Sequence, residues 1–402
     1  MAGIVVIGAG QAGAVVVEKL RAGGFDGPHT LIGDEPDLPY QRPPLSKKYL
    51  LGEMERERLF LRPQSFYDEA DVRLHLGTRA EEIDRDGKAV RLSTGERVAY
   101  DRLVLATGAP PRRLPASIGG ALEGVFTIRT LADIDALQPK VQEGRHVLVV
   151  GGGYIGLEAA AVSAGLGLKV TLVEQAPRLL QRVAASQTAD YFRALHTAHG
   201  VDIREGTGLA RLTGDGHVTG AELEDGSKLD VDFVIVGVGV TPATALAEAA
   251  GLECDNGIVV NGLGQCSDPD IFAAGDCASF PYQGGRIRLE SVPHAIDHAG
   301  AVAASILGGA ENYSAKPWFW SDQYDVKLQI AGLNTGFDQV VVREGGKPGS
   351  VSHWYYAGPR LLAVDAMNDP RAYMTAKRWI EAGVSPAPQD VPEGNLKTMA
   401  TA

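Results

Sequence analysis

The sequence predicts an α/β fold in which two Rossmann-like dinucleotide-binding domains are accompanied by a small C-terminal α+β domain. Two glycine-rich turns lie 143 residues apart, and each follows a short apolar run typical of a buried strand. From about residue 318 the pattern changes to aromatic and strand-like segments. The glycines with the spacing of a dinucleotide fingerprint are Gly8, Gly10 and Gly13 in the first turn and Gly151, Gly153 and Gly156 in the second.

Each glycine turn has the chemistry of a phosphate site. The first glycine permits a tight turn, the second lets the backbone approach a pyrophosphate, and the third lets the helix pack on the strand. An acidic residue ends the next apolar run: Glu35 lies 22 residues beyond Gly13, and Glu174 lies 18 beyond Gly156, against an expected spacing of about 20. Because hydride transfer between nicotinamide and flavin uses two dinucleotides, we expect FAD at the first turn and NAD(H) at the second.

Composition and charge exclude several other classes of function. The chain has 402 residues, 45% hydrophobic and 22% charged, with a net charge of −12, which argues against nucleic acid or an anionic membrane as a partner. Residues 1–17 are uncharged, but they lack a basic stretch and contain the first fingerprint, so neither a leader nor a membrane helix is expected. We therefore expect a cytoplasmic protein.

Cysteine usage also restricts the chemistry. The three cysteines, Cys254, Cys266 and Cys277, form neither a C-x-x-C nor a C-x4-C pair, and none lies in the first 253 residues. This pattern fits a reducing compartment. A disulfide reductase needs a close cysteine pair near its flavin, so that chemistry is not expected.

The apolar pattern predicts the same βαβ order twice. The C-terminal region adds strand-like runs, and the tail after about Gly383, rich in proline and polar residues, is expected to be loosely ordered. The predicted strands are 4–7, 30–33, 102–106, 147–150, 169–173, 233–236, 271–276, 327–331, 339–343, 351–356 and 360–364, the helices are 12–22, 155–164 and 295–307, and hairpin turns are expected at 84–87, 213–216 and 224–226.

Several further stretches carry a resemblance to a known family. They are Gly8–Gly13, Pro39–Lys47, Ala106-Thr107-Gly108, Gly151–Glu158, Gly275-Asp276, Glu290-Ser291 and Pro317–Gln323. The chain resembles the FAD-dependent NADH:ferredoxin reductases of cytochrome P450 and dioxygenase systems, the putidaredoxin-reductase-like family. The resemblance implies a glutathione-reductase-like fold with an FAD-binding domain at 1–108 and 239–317, an NAD-binding domain at 109–238 and a C-terminal domain at 318–402.

The resemblance also implies roles for individual residues. Arg42 is expected to meet an FAD phosphate, and Lys47 to lie near the flavin ring. Glu158 is expected to hold Lys47 and position the nicotinamide. Asp276 is expected on the flavin ribitol chain, and Trp320 beside the isoalloxazine. The remaining residues expected to bind a cofactor are Ala106, Thr107, Tyr154, Ile155 and Val292.

Simpler interpretations remain open for these residues. Arg42 and Lys47 are compatible with solvated cations on a turn. Glu158 is compatible with a carboxylate that stabilises the helix dipole, since it lies in the first turn of a predicted helix. Asp276 would also serve as a helix N-cap, and Trp320 as plain core.

Two pairs of histidines have the spacing of neighbours on one face of a helix. His294 and His298 have an i, i+4 spacing, but no carboxylate or thiol completes a set, so no metal site is expected. Relatives usually carry Asn and Gln at these two positions, which leaves the polar contacts beside the flavin open. His196 and His199, at i, i+3, are expected on the surface of an exposed helix.

Glu174 favours NADH over NADPH. A carboxylate accepts hydrogen bonds from both ribose hydroxyls of NADH and repels a 2′-phosphate. The following residues are Gln175, Ala176 and Pro177, and Arg178 comes too late to clamp a phosphate.

The two fingerprints predict hydride transfer from NADH to FAD, and the resemblance implies that the electrons pass on to an acidic [2Fe–2S] ferredoxin serving a P450 or dioxygenase. The alternatives are another acceptor (rubredoxin, a quinone-like molecule, monodehydroascorbate or oxygen) and a flavin-bearing sensor or scaffold resembling apoptosis-inducing factor. A monomer or weak dimer is expected. Because both electron-transfer partners would be acidic, docking requires a local basic patch, for which the candidates are Arg286, Arg288, Lys316 and Lys327.

Overall fold

The computed structural model describes residues 3–399. They divide into two compact units. Unit 1 comprises the chain up to Arg42, Glu55–Pro110 and Val240–Pro317, and unit 2 comprises Pro43–Met54, Pro111–Gly239 and the chain from Trp318 onward.

Single strands and runs of several strands are separated by helices through the first two thirds of the chain. The strands are β1 (Ile4–Ile7), β2 (His29–Ile32), β3 (Val72–His75), β4 (Ala80–Asp84), β5 (Ala89–Leu92), β6 (Arg97–Ala99), β7 (Arg102–Leu105), β8 (Val125–Phe126), β9 (His146–Val150), β10 (Lys169–Glu174), β11 (Asp202–Glu205), β12 (Leu209–Thr213), β13 (Gly220–Leu223), β14 (Lys228–Asp230), β15 (Phe233–Val236), β16 (Ile258–Val259), β17 (Ile271–Ala273), β18 (Ala278–Tyr282), β19 (Gly285–Ile287), β20 (Trp318–Gln323), β21 (Val326–Gly332), β22 (Gln339–Glu344), β23 (Val351–Ala357) and β24 (Arg360–Met367).

The helices are α1 (Gln11–Ala22), α2 (Gln64–Glu69), α3 (Leu131–Leu137), α4 (Tyr154–Gly165), α5 (Ser186–Ala198), α6 (Ala245–Ala249), α7 (Val292–Ile306) and α8 (Pro370–Ala382). Shorter helical turns occupy Leu45–Tyr49, Arg56–Leu59, Ala116–Ile118, Gln138–Lys140, Gly275–Cys277 and Pro388–Asp390. Within residues 3–399, no helix has both the length and the apolar character that a membrane crossing requires.

Unit 1 is built on a five-stranded parallel sheet with the order β17-β7-β1-β2-β3. Side chains of β1 alternate between its two faces. Ile4 and Val6 pack with α1 and α7, whereas Val5 and Ile7 join a core that includes the small sheets β4-β5-β6 and β16-β18-β19. Both faces of β1 are buried, which explains its continuous apolar sequence.

Unit 2 contains a second parallel sheet, β11-β10-β9-β15-β8, and a small antiparallel sheet, β12-β13-β14. Its C-terminal part is a five-stranded antiparallel sheet, β20-β21-β24-β23-β22, on which α8 packs through Tyr373 and Trp379. The predicted fold class is thus confirmed: two Rossmann-like sheets, each opened by a glycine turn, accompany a C-terminal α+β part.

For the tail as far as residue 399, the expectation of loose order is wrong. Val391 and Leu396 are buried in the hydrophobic core beneath α8, together with Trp379. The guanidinium of Arg343 donates hydrogen bonds to the carbonyl oxygens of Val391 and Pro392. The expectation rests on the composition of the tail, which is rich in proline and polar residues. Two buried apolar side chains hardly change that composition, so composition does not reveal them.

His294 and His298 belong to an aromatic core in unit 1. The His294 ring stacks on Phe280 with centroids 4.9 Å apart, and the His298 ring stacks on Tyr313 at 4.7 Å. Tyr313 also contacts His294, with its hydroxyl 3.0 Å from Nδ1. Burial lowers the pKa of His294 to about 4, and burial together with the neighbouring His294 lowers that of His298 to about 3.

We predict that this histidine pair makes the protein sensitive to acid. Between pH 6.5 and about 4, these two histidines are protonated in the unfolded chain but neutral in the folded protein. The free energy of unfolding therefore decreases as the pH falls. Each histidine contributes a slope of roughly 1.4 kcal/mol per pH unit. Urea denaturation across this range should show a shallower loss in His294→Asn/His298→Gln than in the parent. The exposed His199→Gln serves as the control, and equal slopes in all three proteins would contradict the prediction.

We predict that the tail stabilises the C-terminal core. Replacing Leu396 by Ala removes a buried side chain and should reduce the free energy of unfolding by about 2–5 kcal/mol. The neighbouring Lys397 is exposed, so Lys397→Ala is the matched control. Denaturant titration measures the free energy of unfolding of both variants. A loss in Leu396→Ala as small as that in the control would show that the tail does not contribute to the C-terminal core.

Candidate functional site

The first glycine turn joins β1 to α1 in unit 1. Gly8 has a φ of +115°, and a Cβ there would lie 2.1 Å from the carbonyl oxygen of Ala106. A Cβ on Gly13 would lie 1.9 Å from the carbonyl oxygen of Gly8. Packing therefore requires glycine at these two positions. Gly10 is different, because a Cβ there would have no atom within 4 Å.

The second turn, between β9 and α4 in unit 2, repeats the arrangement. A Cβ on Gly151, whose φ is +106°, would lie 2.5 Å from the carbonyl oxygen of Gly237. A Cβ on Gly156 would lie 2.0 Å from the carbonyl oxygen of Gly151. Gly153, like Gly10, faces open space. The chain itself gives no reason for glycine at the two middle positions, whereas a ligand that approaches the backbone closely does.

The two helices that follow these turns begin without a side-chain cap. Gly10 precedes α1 and Gly153 precedes α4, whereas Ser291 and Asp369 cap the backbone of α7 and α8. Uncapped N–H groups and the helix dipole favour an anion. The open glycines and the uncapped helices together fit the pyrophosphates of FAD and NAD(H).

Both acidic residues of the fingerprints are held in place by the chain. Glu35 accepts hydrogen bonds from the guanidinium of Arg42, at 2.6 Å, and from the hydroxyl of Tyr40. Glu174 accepts from the backbone N–H groups of Gly152 and Ala176, both at 2.7 Å. Each carboxylate is thus fixed at the end of the strand that follows its glycine turn.

Lys47 and Glu158 form a buried ion pair in unit 2. Lys47 Nζ lies 3.1 Å from Glu158 Oε1 and 3.5 Å from Asp322 Oδ2. Lys47 stands in the helical turn Leu45–Tyr49, where its own φ of −129° and ψ of −111° depart from helical values. The side chains of Lys47 and Glu158 retain 17% and 5% of their exposure, so the pair is largely shielded from water.

Two hydroxyl groups complete the surroundings of Glu158. Ser321 donates to Oε1 at 2.7 Å, and Ser46 lies 3.2 Å from Oε2. Burial raises the pKa of Glu158 above its usual value, and Lys47, Ser321 and Ser46 oppose that rise. The donors stabilise the ionised carboxylate that burial disfavours.

The other predicted residues fall into two groups. Unit 1 holds the first glycines with Glu35, Arg42, Ala106, Thr107, Asp276 and Val292, and unit 2 holds the second glycines with Tyr154, Ile155, Glu174, Lys47, Glu158 and Trp320. Thr107 follows β7 and donates to the carbonyl oxygen of Ala243 at 2.8 Å. Trp320 is half-buried in β20, and its ring is near those of Trp318 and Phe319.

Part of this site was not predicted from the sequence, and one histidine lies elsewhere than expected. Ser46, Ser321 and Asp322 are the residues that were not predicted, although all three lie in two of the family-specific stretches, Pro39–Lys47 and Pro317–Gln323. The expectation that His196 is a surface residue is wrong, because it is buried and bonded to Gln323. His196 follows the buried Phe192 by four residues, and this helical spacing was the signal for a buried position.

Metal and thiol chemistry have no evident centre in the structure. Among residues 3–399, no three His, Cys, Asp or Glu side chains converge as metal ligands. The three cysteines are free thiols. Burial raises the pKa of the Cys277 thiol, which disfavours the reactive thiolate.

Comparisons with known proteins agree with this geometry. A family model described as pyridine nucleotide-disulphide oxidoreductase matches residues 2–299, and a reductase C-terminal model matches residues 318–400. A ferredoxin–NAD(P)(+) reductase of Sphingomonas sp is 43% identical over 99% of this chain and 97% of its own length. Rhodocoxin reductase of Rhodococcus erythropolis is 42% identical over 96% and 91%.

A solved structure shows the same fold over nearly the whole chain. It is the covalent putidaredoxin reductase–putidaredoxin complex, whose match has a TM-score of 0.95 at 40% identity and covers 98% of this chain and 97% of that one. The chain therefore belongs to the pyridine nucleotide-disulphide oxidoreductase family and carries the family's reductase C-terminal domain.

Proposed function

We propose that this protein is a ferredoxin–NAD(+) reductase, an FAD-dependent oxidoreductase that takes electrons from NADH and delivers them to a [2Fe–2S] ferredoxin. The observation that carries the proposal is the pair of open glycine turns, each with its own acid, in one chain with the Lys47–Glu158 pair. The ferredoxin serves a cytochrome P450 or related oxygenase, and the protein works in the cytoplasm.

The proposal assigns each dinucleotide to one turn. FAD is held by Gly8, Gly10 and Gly13, with Glu35 on the ribose and Arg42 on a phosphate. The other groups on the flavin side are Ala106, Thr107, Asp276 and Val292. NADH is held by Gly151, Gly153 and Gly156, with Glu174 on the ribose and Tyr154 and Ile155 at the start of α4. The corresponding domains are 1–108 with 239–317 for FAD, 109–238 for NAD and 318–402 at the C-terminus.

The reaction needs positioning and electrostatics rather than an acid or a nucleophile. Bound FAD supplies the change from a two-electron hydride donor to a one-electron acceptor. Lys47 supplies positive charge where electron density accumulates on reduction, and Glu158 holds Lys47 and orients the nicotinamide. Trp320 gives a flat apolar wall that keeps water away.

The identity of the electron acceptor distinguishes this proposal from the alternative functions. Relatives that are about 42% identical over most of this chain are reductases named for ferredoxin and rhodocoxin. Anaerobic stopped-flow mixing with NADH should bleach the flavin, and a [2Fe–2S] ferredoxin should then reoxidise it rapidly. Fast reoxidation by rubredoxin, a quinone, monodehydroascorbate or oxygen alone would favour another acceptor. A flavin that NADH does not reduce would favour a sensor or scaffold.

The structure narrows the choice of docking residues. The guanidinium of Arg286 donates to the carbonyl oxygens of Val260 and Ser279. Arg288 pairs with Glu290 at 2.6 Å and donates to the Asp276 carbonyl oxygen at 3.2 Å. Both arginines bond to backbone carbonyl groups of unit 1, and Arg288 is half-buried, although Arg286 is exposed, as Lys316 and Lys327 are.

We propose a docking surface on the C-terminal domain formed by Lys327, Arg371, Met374 and Arg378. The Asn368 N–H donates to the Lys327 carbonyl oxygen at 3.0 Å, which places the start of α8 beside Lys327. The other three residues form one exposed stripe of α8, and Met374 is 62% exposed. On a chain with net charge −12, a basic stripe around an apolar side chain suits an acidic ferredoxin.

We predict that Glu174 sets the preference for NADH. The parent should favour NADH over NADPH at least tenfold in kcat/KM, or about 1.4 kcal/mol. Glu174→Ala should narrow this ratio, because the repulsion of a 2′-phosphate is lost. Glu174→Gln should narrow it as well and keeps an acceptor for the Gly152 or Ala176 N–H. Steady-state kinetics measures the ratio, and equal rates with both nucleotides in the parent would refute the assignment.

We predict that the docking surface controls ferredoxin association. Charge reversal in Lys327→Glu/Arg371→Glu should raise the KM for ferredoxin about tenfold or more and weaken its dependence on salt. Flavin reduction by NADH should be unchanged. Lys228→Glu, an exposed reversal in β14, is the control. A double reversal that leaves both the KM and its salt dependence at parent values would place the dock elsewhere.

A further inference from the structure

A chain of hydrogen bonds leads from Glu158 to His196 of α5 and on to Tyr324. Ser321 donates to Glu158 Oε1 at 2.7 Å, and Gln323 Nε2 donates to Ser321 Oγ at 3.2 Å. Gln323 Oε1 lies 2.8 Å from His196 Nε2, and Tyr324 lies at the end of the chain, with its hydroxyl 3.2 Å from His196 Nδ1. Ser321, Gln323 and His196 are completely buried, so water does not substitute for these partners.

The ionised carboxylate of Glu158 determines which group donates in each hydrogen bond of this series. An ionised Glu158 only accepts, so the single Ser321 hydrogen is directed at the carboxylate. Ser321 must then receive a donor, which fixes the amide nitrogen of Gln323 on the serine side. The amide oxygen therefore faces His196 and requires an N–H on Nε2. The hydroxyl of Tyr324, facing Nδ1, favours this tautomer because it donates to the unprotonated nitrogen.

We propose that His196 is a positioning residue for Glu158. Its Nε2–H holds the Gln323 amide in one orientation, which keeps the Ser321 hydroxyl on the carboxylate that pairs with Lys47. Without this donor the amide is free to turn over. Its oxygen then competes for the Ser321 hydrogen, and Glu158 loses its shortest hydrogen bond. The significance for hydride transfer rests on the proposed function, whereas the effect on Glu158 does not.

The charged groups around Glu158 are consistent with this role. Lys47, which lies in the turn Leu45–Tyr49, pairs with Glu158 and also with Asp322 of β20. Of the other strands packed against α4, β15 is apolar, β9 begins with His146 bonded to Thr171, and the charged residues of β10 stand at its two ends.

His196 itself is kept neutral by its surroundings. Burial lowers its pKa to about 4, Gln323 opposes this and His199 adds to it. The His199 ring stacks on Tyr324 at 3.7 Å. Above pH 5, therefore, His196 presents a single N–H, and the orientation of the chain is determined by where that hydrogen sits.

The test follows the ionisation of Glu158 directly. On the FAD-loaded protein, an infrared pH titration records the carboxylic-acid C=O band, and Glu158→Gln identifies which band belongs to Glu158. Asp365, whose pKa burial raises to about 6, keeps its band in that variant, so the two carboxyl groups are told apart. His196→Leu should raise the Glu158 midpoint by roughly half to one pH unit, because a net hydrogen bond to the carboxylate is lost.

Rescue distinguishes positioning from packing. His196→Gln places an amide N–H at the position of Nε2 and should restore the parent midpoint. Ser321→Ala should produce the shift of His196→Leu, and the double variant should add nothing to it. Thr197→Ala, an exposed change on the same helix, is the control. The rate of flavin reduction by NADH should fall at low pH, and the pH of this fall should shift upward in the same variants that raise the Glu158 midpoint.

Two results would overturn the proposal. A Glu158 midpoint that stays at the parent value in His196→Leu would show that the histidine does not reach the carboxylate. Equal shifts in His196→Leu and His196→Gln would assign the effect to packing. Failure of the proposed function would appear differently, as an absence of flavin reduction by NADH in the parent while the infrared shifts persist.

Discussion

The buried ion pair between Lys47 and Glu158 is the interaction around which unit 2 is arranged. Removing both charges from water is costly, and the attraction between them offsets that cost only when further hydrogen bonds satisfy the carboxylate. Ser46 and Ser321 provide these bonds from segments 112 and 163 residues away in sequence. The turn Leu45–Tyr49, the start of α4 and β20 are therefore tied to one carboxylate.

The glycine turns impose a complementary constraint, because each brings a helix onto a strand with no room for a Cβ. Gly8 and Gly13 in unit 1, and Gly151 and Gly156 in unit 2, would each place a Cβ within 2.5 Å of a carbonyl oxygen. The N-cap positions themselves, Gly10 and Gly153, are open glycines, so no side chain caps either helix. The same packing that shapes the turn leaves N–H groups free for a phosphate.

The sequence predicted those features that are local in the chain. Fingerprint spacing and apolar runs located seven of the ten strands of the two parallel sheets, six of them to within about two residues, because a strand, a glycine turn and a helix are contiguous. The edge strands β3, β8 and β11 were not predicted. The environment of Glu158 was not predictable in this way, since Ser321 and His196 reach it through packing that no local period encodes. The tail was misjudged for a related reason: Val391 and Leu396 are two apolar residues without a period.

The central claim is that Lys47 and Glu158 act as one unit in hydride transfer, and a double-mutant cycle tests it most directly. The rate of flavin reduction by NADH is measured under anaerobic stopped flow for the parent, Lys47→Met, Glu158→Gln and the double variant. If the two residues act together, the double variant is no slower than the slower single variant, with a coupling of roughly 0.5–3 kcal/mol. Losses that multiply, so that the two effects are independent, would contradict the account.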